Sequence, residues 1–372
     1  MMVKKNPQNL SEIQNRLYEI YHNEIAPLMI DWEKKRKSEV FKFVFILVVV
    51  IIAISVCVYL FAELRNIQAL FFIGIGTAVS ACYFLYNINE DFSRKLKREC
   101  MPQVVKAFGK MKWYENSHKL STSKINESEL FSNFNQRTDD DVFVGKYKGV
   151  EFSVTETRLW YLSGSGKNKV TYTIFKGVII NFASNKDIIN KTMIATKGDW
   201  NIKNRHSAIF IVLLMLLPSI VMAIFNGDSF TPEELIKCVL VWLAAICAFV
   251  CYVLFNSKKN KEKLNEIKLE DVEFNKYYKA YSSDEVEGRY LITTAFMERF
   301  KNLQTAFGAR KAKCSFYGED IMFAISTRKN LFEIGSLFTP LNSSKQLEKA
   351  FEELSSILAL IDYFKLDEKT GL

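Results

Sequence analysis

Within residues 269–299 the densest cluster of charged side chains is Asp284, Glu285, Glu287 and Arg289. Three carboxylates and a guanidinium so close together could grip a cationic or phosphate-bearing ligand through charge-assisted hydrogen bonds. The plainer account is that Arg289 pairs with Glu287 or Asp284 across a turn, an arrangement common on protein surfaces. A second acidic run, Asp139, Asp140 and Asp141, offers the oxygen ligands that Ca²⁺ and Mg²⁺ prefer, but lacks EF-hand spacing. A turn with charges at a strand edge accounts for it better. Nucleophilic and metal chemistry find less support. The 3 histidines, His22, His118 and His206, have no partner at metal-ligand spacing, and none of the 7 cysteines forms a C-x-x-C pair. No G-x-S-x-G, H-E-x-x-H or kinase signature is present. Gly164-Ser-Gly-Lys167 imitates a phosphate loop, yet Tyr161 stands where its first Gly belongs and Asn168 replaces Ser or Thr. It reads as a hairpin turn. The sequence therefore assigns no catalytic residue, no metal and no cofactor.

The elements that must position these groups begin with four apolar blocks, which the overall composition of 49% apolar and 24% charged residues conceals. They run Val44 to Ala62, Ile67 to Tyr86, Ala208 to Phe225 and Leu235 to Phe255. Each approaches the length a helix needs to cross a hydrocarbon core of ~30 Å. Residues 63–66 and 226–234 are turn-like, which pairs the blocks into two hairpins. No Asp, Glu, Lys, Arg or His lies at the centre of a block, and ion-coupled transport usually needs such groups. Gly74, Gly76, Ala78, Ser80 and Cys82 give the second block a small-residue face, and Ala244, Ala245 and Ala248 do the same for the fourth. Such faces suit close helix packing, within the chain or between copies in a homo-oligomer.

Lys and Arg set the expected orientation. Lys34, Lys35, Arg36 and Lys37 precede the first block, and Arg94, Lys95, Lys97 and Arg98 follow the second. Lys203 and Arg205 precede the third, and Lys258, Lys259, Lys261 and Lys263 follow the fourth. The hairpin tips hold Arg65 alone, so the long segments and both termini are predicted to be cytoplasmic. These basic flanks are candidate lipid-headgroup contacts at about 1 kcal/mol per side chain. They carry most of the net charge of +9, which makes a nucleic-acid surface a poor explanation. No cleavable signal precedes the first block, since residues 1–40 lack an apolar core. The 30 Phe, 16 Tyr and 5 Trp exclude intrinsic disorder.

Outside the blocks the pattern changes. Leu10, Ile13, Leu17, Tyr21, Ile25 and Leu28 predict an amphipathic helix over 10–39, kinked or restarted at Pro27. A second helix is predicted over 90–114, and the two could pack as a stalk. Alternating β-branched and aromatic residues predict strands over 142–147, 150–156, 171–180 and 191–196. Beyond the fourth block, 274–281, 288–292, 313–317 and 320–326 read as strands. Phe296, Phe300, Leu303 and Phe307 stripe one helix, with Thr294 as its cap. Leu347, Phe351, Leu354, Leu358 and Ile361 stripe a closing helix, with Ser343 and Gln346 as its capping box.

The run from Leu269 to Arg299, above all Glu287-Gly-Arg-Tyr-Leu-Ile-Thr-Thr-Ala-Phe-Met-Glu-Arg299, resembles the uncharacterised bacterial family known as domain of unknown function 3137. Asp140-Asp-Val-Phe-Val-Gly145, Glu156, Phe175-Lys-Gly177 and Ser315-Phe316 extend the likeness, which covers roughly residues 90 to 200 and 265 to 365. Gly288 and Thr294 depart from it, standing where Ala and Pro are expected, and the second hairpin replaces a short basic linker. The resemblance implies a bacterial inner-membrane protein with a cytosolic domain, and it supplies no activity. Glu156 joins Asp140, Asp141 and the 284–289 cluster as a candidate ligand-binding residue through this resemblance.

The expected architecture is thus membrane α-helical, with four transmembrane helices in two hairpins, plus a cytosolic α+β domain whose two halves flank the second hairpin. The divisions are 1–40, an N-terminal helix; 41–87, the first hairpin; 88–207, a helix and the first half-domain; 208–255, the second hairpin; and 256–372, the second half-domain. The expected function is a non-enzymatic binding, scaffold or regulatory module for a protein or lipid partner. A channel or transporter subunit is the alternative, and a lipid-modifying enzyme using Asp140, Asp141 and Asp284 is the third.

Overall fold

The computed structural model describes residues 7–64, 68–164, 166–199, 264–309, 311–341 and 345–363. Helix α1 (Pro7–Ile20) runs through a π-helical turn (Tyr21–Ile25) into α2 (Ala26–Leu64). The turn ends two residues before Pro27, which has no N–H to donate and whose ring crowds the preceding carbonyls. Helix α3 (Gln68–Lys106) returns antiparallel to α2. Trp32 packs edge-to-face on Phe92 at 5.4 Å, and its indole N–H donates to Glu99 at 2.7 Å. Lys106 reaches Glu24 at 2.8 Å. Ile25 of the turn and Met29 and Trp32 of α2 follow helical spacing and are buried, so α2 and α3 form a stalk, although the helix expected over 90–114 ends at Lys106 and residues 111–115 are strand.

The four-helix membrane expectation is corrected. Among the described residues one helix, Glu12–Val56, is long and apolar enough to cross a membrane, and none of its apolar window is buried inside the molecule. The second block lies in α3. No window of α3 passes the same test among the described residues. The third and fourth blocks lie outside the described residues. The described molecule is one membrane-length helix joined, through the stalk, to a large antiparallel sheet.

The sheet contains β1 (Met111–Glu115), β2 (Gln136–Tyr147), β3 (Val150–Ser163), β4 (Val170–Thr196), β5 (Asn265–Ile267), β6 (Tyr278–Ser282) and β7 (Lys311–Ser326). The order is β1-β2-β3-β4-β6-β5, with β7 on β4. β4 is the spine. Its first half pairs with β3 (Phe152↔Phe182) and its last residues with β6 (Ile194↔Ala280). β7 pairs along it from Gly177↔Ser326 to Ala195↔Lys313. Strands from both sides of residues 200–263 therefore share one sheet. Gly177 marks a close approach, because a Cβ there would stand 2.0 Å from the Ile325 carbonyl oxygen.

Helices α4 (Thr122–Glu127), α5 (Val272–Tyr277), α6 (Glu285–Leu291), α7 (Thr294–Ala306) and α8 (Lys345–Tyr363) are the remaining helices among the described residues. One face of the sheet packs Phe143, Phe182 and Phe323 against Leu96 and Met101 of α3, Phe300 of α7 and Leu354 of α8. The other packs Ile179, Met193 and Met322 against Leu120, Ile125 and Leu130 around α4.

Several local expectations change. Of the strands expected over 274–281 and 288–292, residues 278–281 are strand, whereas 274–277 and 288–291 are helical, because Asp271 and Asp284 each cap two N–H groups of the helix that follows. The strands expected over 313–317 and 320–326 are one strand, β7, bending at Gly318, whose φ is +56°. The hydroxyl capping α7 is that of Thr293, which accepts from Phe296 N–H at 3.2 Å, and not that of Thr294. Ser343 lies outside the described residues, and Gln346 bonds Thr339 instead.

Candidate functional site

The site begins with a fault in β2. Between Asp139 and Val142 the strand carries one residue more than β3 opposite. Such a bulge breaks the two-residue alternation of side chains. Asp139 and Asp141 would share a face in a regular strand, but here they face opposite ways. Asp139 turns toward the α4 side, where it accepts from Arg137 at 2.8 and 2.6 Å, from Thr157, and pairs with His118 at 2.8 Å. Asp141 turns toward α3.

On that side Lys97 of α3 lies buried between two carboxylates, Asp141 at 2.8 Å and Glu333 at 2.7 Å. The Trp113 indole N–H donates to the second Asp141 oxygen at 2.8 Å. Glu156 of β3 is buried beside them and accepts the Leu331 N–H at 3.2 Å. Burial opposes the Lys97 charge, but Asp141 and Glu333 outweigh it and keep the ammonium protonated. Burial pushes Asp141 up to about 6, against the pull of Lys97. Burial, with Asp141 and Asp140 adding repulsion, pushes Glu156 up to about 8. Near neutral pH the junction therefore holds one ammonium, an ionised Asp141 and a protonated Glu156. With Glu333 as the second partner of Lys97, these groups form a buried lock whose Glu156 carboxyl can take up or release a proton.

The lock fastens a strap, residues 327–341, across the stalk. Leu331 N–H goes to Glu156, and the next N–H, of Phe332, goes to Glu353 of α8 at 2.8 Å. Phe332 sits at φ +56°, a conformation non-glycine residues seldom adopt, and packs on Phe143 at 4.8 Å. Farther along, Leu337 donates to Asn89 at 3.2 Å and accepts from Arg36 at 3.0 Å. Leu341 N–H goes to Glu33 at 2.9 Å. The Arg36 fork holds Glu33 down at about 2. A small pocket between Tyr21, Met29, Ile334 and Leu341 has room for about one water molecule.

The structure thus brings together Asp141, Glu156 and Lys97, with Asp140 close enough to repel Glu156. It does not bring the 284–289 group to them. Asp284 caps α6 through Val286 and Glu287 N–H, Glu287 accepts from Ile189 and Asn190 N–H, and Arg289 pairs with Glu285 at 2.7 Å on the surface. These groups are used by the fold. Several of the basic candidates are likewise engaged: Arg36 with Glu33, Arg94 and Arg98 with Glu115, Lys34 with Asp31, and Lys35 over the Trp32 ring. Lys37 and Lys95 are exposed. Lys203, Arg205, Lys258, Lys259, Lys261 and Lys263 lie outside the described residues, as do Ala244, Ala245 and Ala248. Gly76, Ser80 and Cys82 are exposed on α3, while Gly74 and Ala78 are half-buried. Among the described residues no group of three His, Cys, Asp or Glu is arranged to hold a metal ion.

Glu33, Glu333 and Glu353 were not singled out by the sequence, and Lys97 was read as a lipid contact. The signal was there for Lys97 and Glu353. Lys97, Met101 and Val104 follow helical spacing on the buried stripe of α3, and Ala350, Glu353 and Ile357 do so on α8. A charge inside an apolar stripe demands a partner. Glu333 sits in an irregular strap and carries no such mark.

No curated protein matches the chain in sequence. A solved structure, that of the mycobacterial trehalose monomycolate transport factor A, TtfA, aligns with 72% of this chain and 94% of its own at 8% identity and a TM-score of 0.30. A likeness that slight carries no argument. Residues 173–366 match the family described as "Protein of unknown function (DUF3137)". The match takes in Phe175-Lys-Gly177 and the whole 269–299 run, and it begins beyond Asp140–Gly145 and Glu156, which stand outside it. It spans more than half of the chain, and the chain belongs to the DUF3137 family.

Proposed function

We propose that the protein is a membrane-anchored, non-enzymatic module whose sheet domain binds a protein or lipid partner beside the bilayer. One observation carries this reading: α2 is a single helix with an exposed apolar half and a buried half. Val44, Phe45, Val48, Ile51 and Ile52 are exposed along its later turns, whereas Met29 and Trp32 belong to the domain core. An apolar surface of that extent is costly in water and suits lipid. The anchor and the domain are thus continuous, with α3 returning beside α2 and Lys97 locking it to the sheet. The basic residues at 34–37 and 94–98 lie on the domain side of the apolar stretch, which supports a cytoplasmic domain. Alkaline carbonate washing of membranes tests the anchor. Retention in the pellet is expected, and release into the supernatant overturns it. Native mass spectrometry of the full chain, extracted with its lipids, tests the binding role. A stoichiometric second polypeptide or a defined lipid is expected. Turnover of a defined substrate, lost on one substitution in a folded protein, would sink the non-enzymatic reading.

A further inference from the structure

The strap ends in a built turn. Thr339 N–H donates to the Ser336 carbonyl at 3.3 Å, and the two hydroxyls lie 2.6 Å apart. Gln346 of α8 donates to the Thr339 hydroxyl at 3.1 Å. Within this turn Leu337 is fully buried and its backbone is held on both sides, by Asn89 and Arg36. Phe338 points the other way and is 59% exposed. A phenylalanine presented to water on a pinned turn is unfavourable unless it meets an apolar partner.

Its position indicates which partner. The Phe338 ring packs edge-to-face on Phe43 of α2 at 5.1 Å. Phe43 immediately precedes the run that begins at Val44, and its neighbours Phe41 and Phe45 are 73% and 62% exposed. The antiparallel stalk brings Tyr83 and Tyr86 of α3 level with this point, and both are exposed. Aromatic side chains gather at this depth in membrane proteins, where the hydrocarbon gives way to headgroups. The tip from Ser336 to Leu341 carries no charge, so bringing it against lipid strips no ion of its water. The exposed ring therefore continues the apolar surface of α2, on a segment about 300 residues distant in sequence.

We propose that the turn Ser336–Thr339 is a lipid-contacting wedge, with Phe338 seated in the headgroup–acyl boundary of the leaflet that α2 enters on the domain side. The wedge rests on the membrane-anchor reading given above. The domain then touches the bilayer at a second point, which fixes its tilt as well as its attachment.

The test uses the full chain in nanodiscs of phosphatidylcholine and phosphatidylglycerol. 4-Trifluoromethyl-phenylalanine is placed singly at position 338, 41 or 18, and fluorine relaxation is measured with a gadolinium chelate tethered to lipid headgroups. Tyr18 lies about 35 Å from Phe41 down the same helix and serves as the distant reference. Enhancement at 338 equal to that at 41, and several-fold above that at 18, is expected. Enhancement at 41 with 338 behaving like 18 overturns the wedge and leaves the anchor standing. No enhancement at 41 overturns both. Phe338→Ser in the same discs should leave the spectrum of a label at 41 unchanged, since the turn is held by backbone and hydroxyl bonds.

Discussion

Glu156 is the residue whose chemistry is most exposed to test. Its carboxyl titrates near 8 in the folded chain against 4.5 when solvated. Between those values the folded state holds a proton that the unfolded state has lost. Stability must therefore fall as pH rises through that window. Glu156→Gln keeps the shape and the acceptor for Leu331 N–H but cannot ionise. The variant is expected to unfold at the same temperature as the parent near pH 4.5, and to be more stable by about 1–3 kcal/mol at pH 8.5. A parent whose melting temperature is equal at both values would contradict this. Lys97 makes the complementary case. Lys97→Met leaves Asp141 buried without its cation, at a cost of about 3–5 kcal/mol, and Asp141→Asn in the same chain should recover part of that loss. Denaturant unfolding of the single and double variants measures both. No recovery would mean that the pair is not coupled.

At the scale of elements, the 284–289 group is predicted to stabilise and not to bind. Asp284→Ala removes the cap of α6 and should cost about 1 kcal/mol, whereas Arg289→Ala breaks an exposed pair and should cost less than about 0.5 kcal/mol. Denaturation midpoints of the two variants decide the ranking, and a larger effect at Arg289 would overturn it. The same group shows what the sequence could tell. Its charge density was legible, and so was the turn, but the alternation of Tyr290 and Ile292 suggested a strand. Two capped N–H groups decided for a helix. Gly288 has a reason in packing: a Cβ there would meet the Ile267 and Ser282 side chains. The apolar stripes of α7 and α8 were read correctly, because helical periodicity survives any tertiary context. The β2 bulge was not legible. Asp139-Asp-Asp141 reads equally as a turn or a strand edge, and a one-residue register shift leaves no trace in composition. Hence Asp141 was selected for its oxygen atoms, while the lysine that gives it meaning was assigned to lipid.

For the whole molecule, the continuity of α2 from exposed apolar half to domain core sets the expectation. A charge at its apolar centre, as in Ile51→Arg, costs about 2.5–3.5 kcal/mol of insertion. The variant is expected to appear partly in the carbonate supernatant, while Tyr18→Arg, on the domain side, stays in the pellet. Equal retention of both would argue that the apolar half of α2 is covered by protein. The four-span expectation failed for a related reason. Among the described residues one helix has membrane length, and the lower part of α3 packs in the domain core instead.

The pairing of β4 with β7 has a consequence for synthesis. Gly177 lies opposite Ser326, so at ~5–20 residues per second the ribosome delivers that partner on the order of 10 s after β4 itself. During that interval one edge of the longest strand has no mate, and bare strand edges recruit neighbouring chains. The helical stalk is complete before β2 is made. If α2 anchors the chain as proposed, the nascent protein would wait at the membrane surface, spaced from its siblings, until β7 arrives to close the sheet.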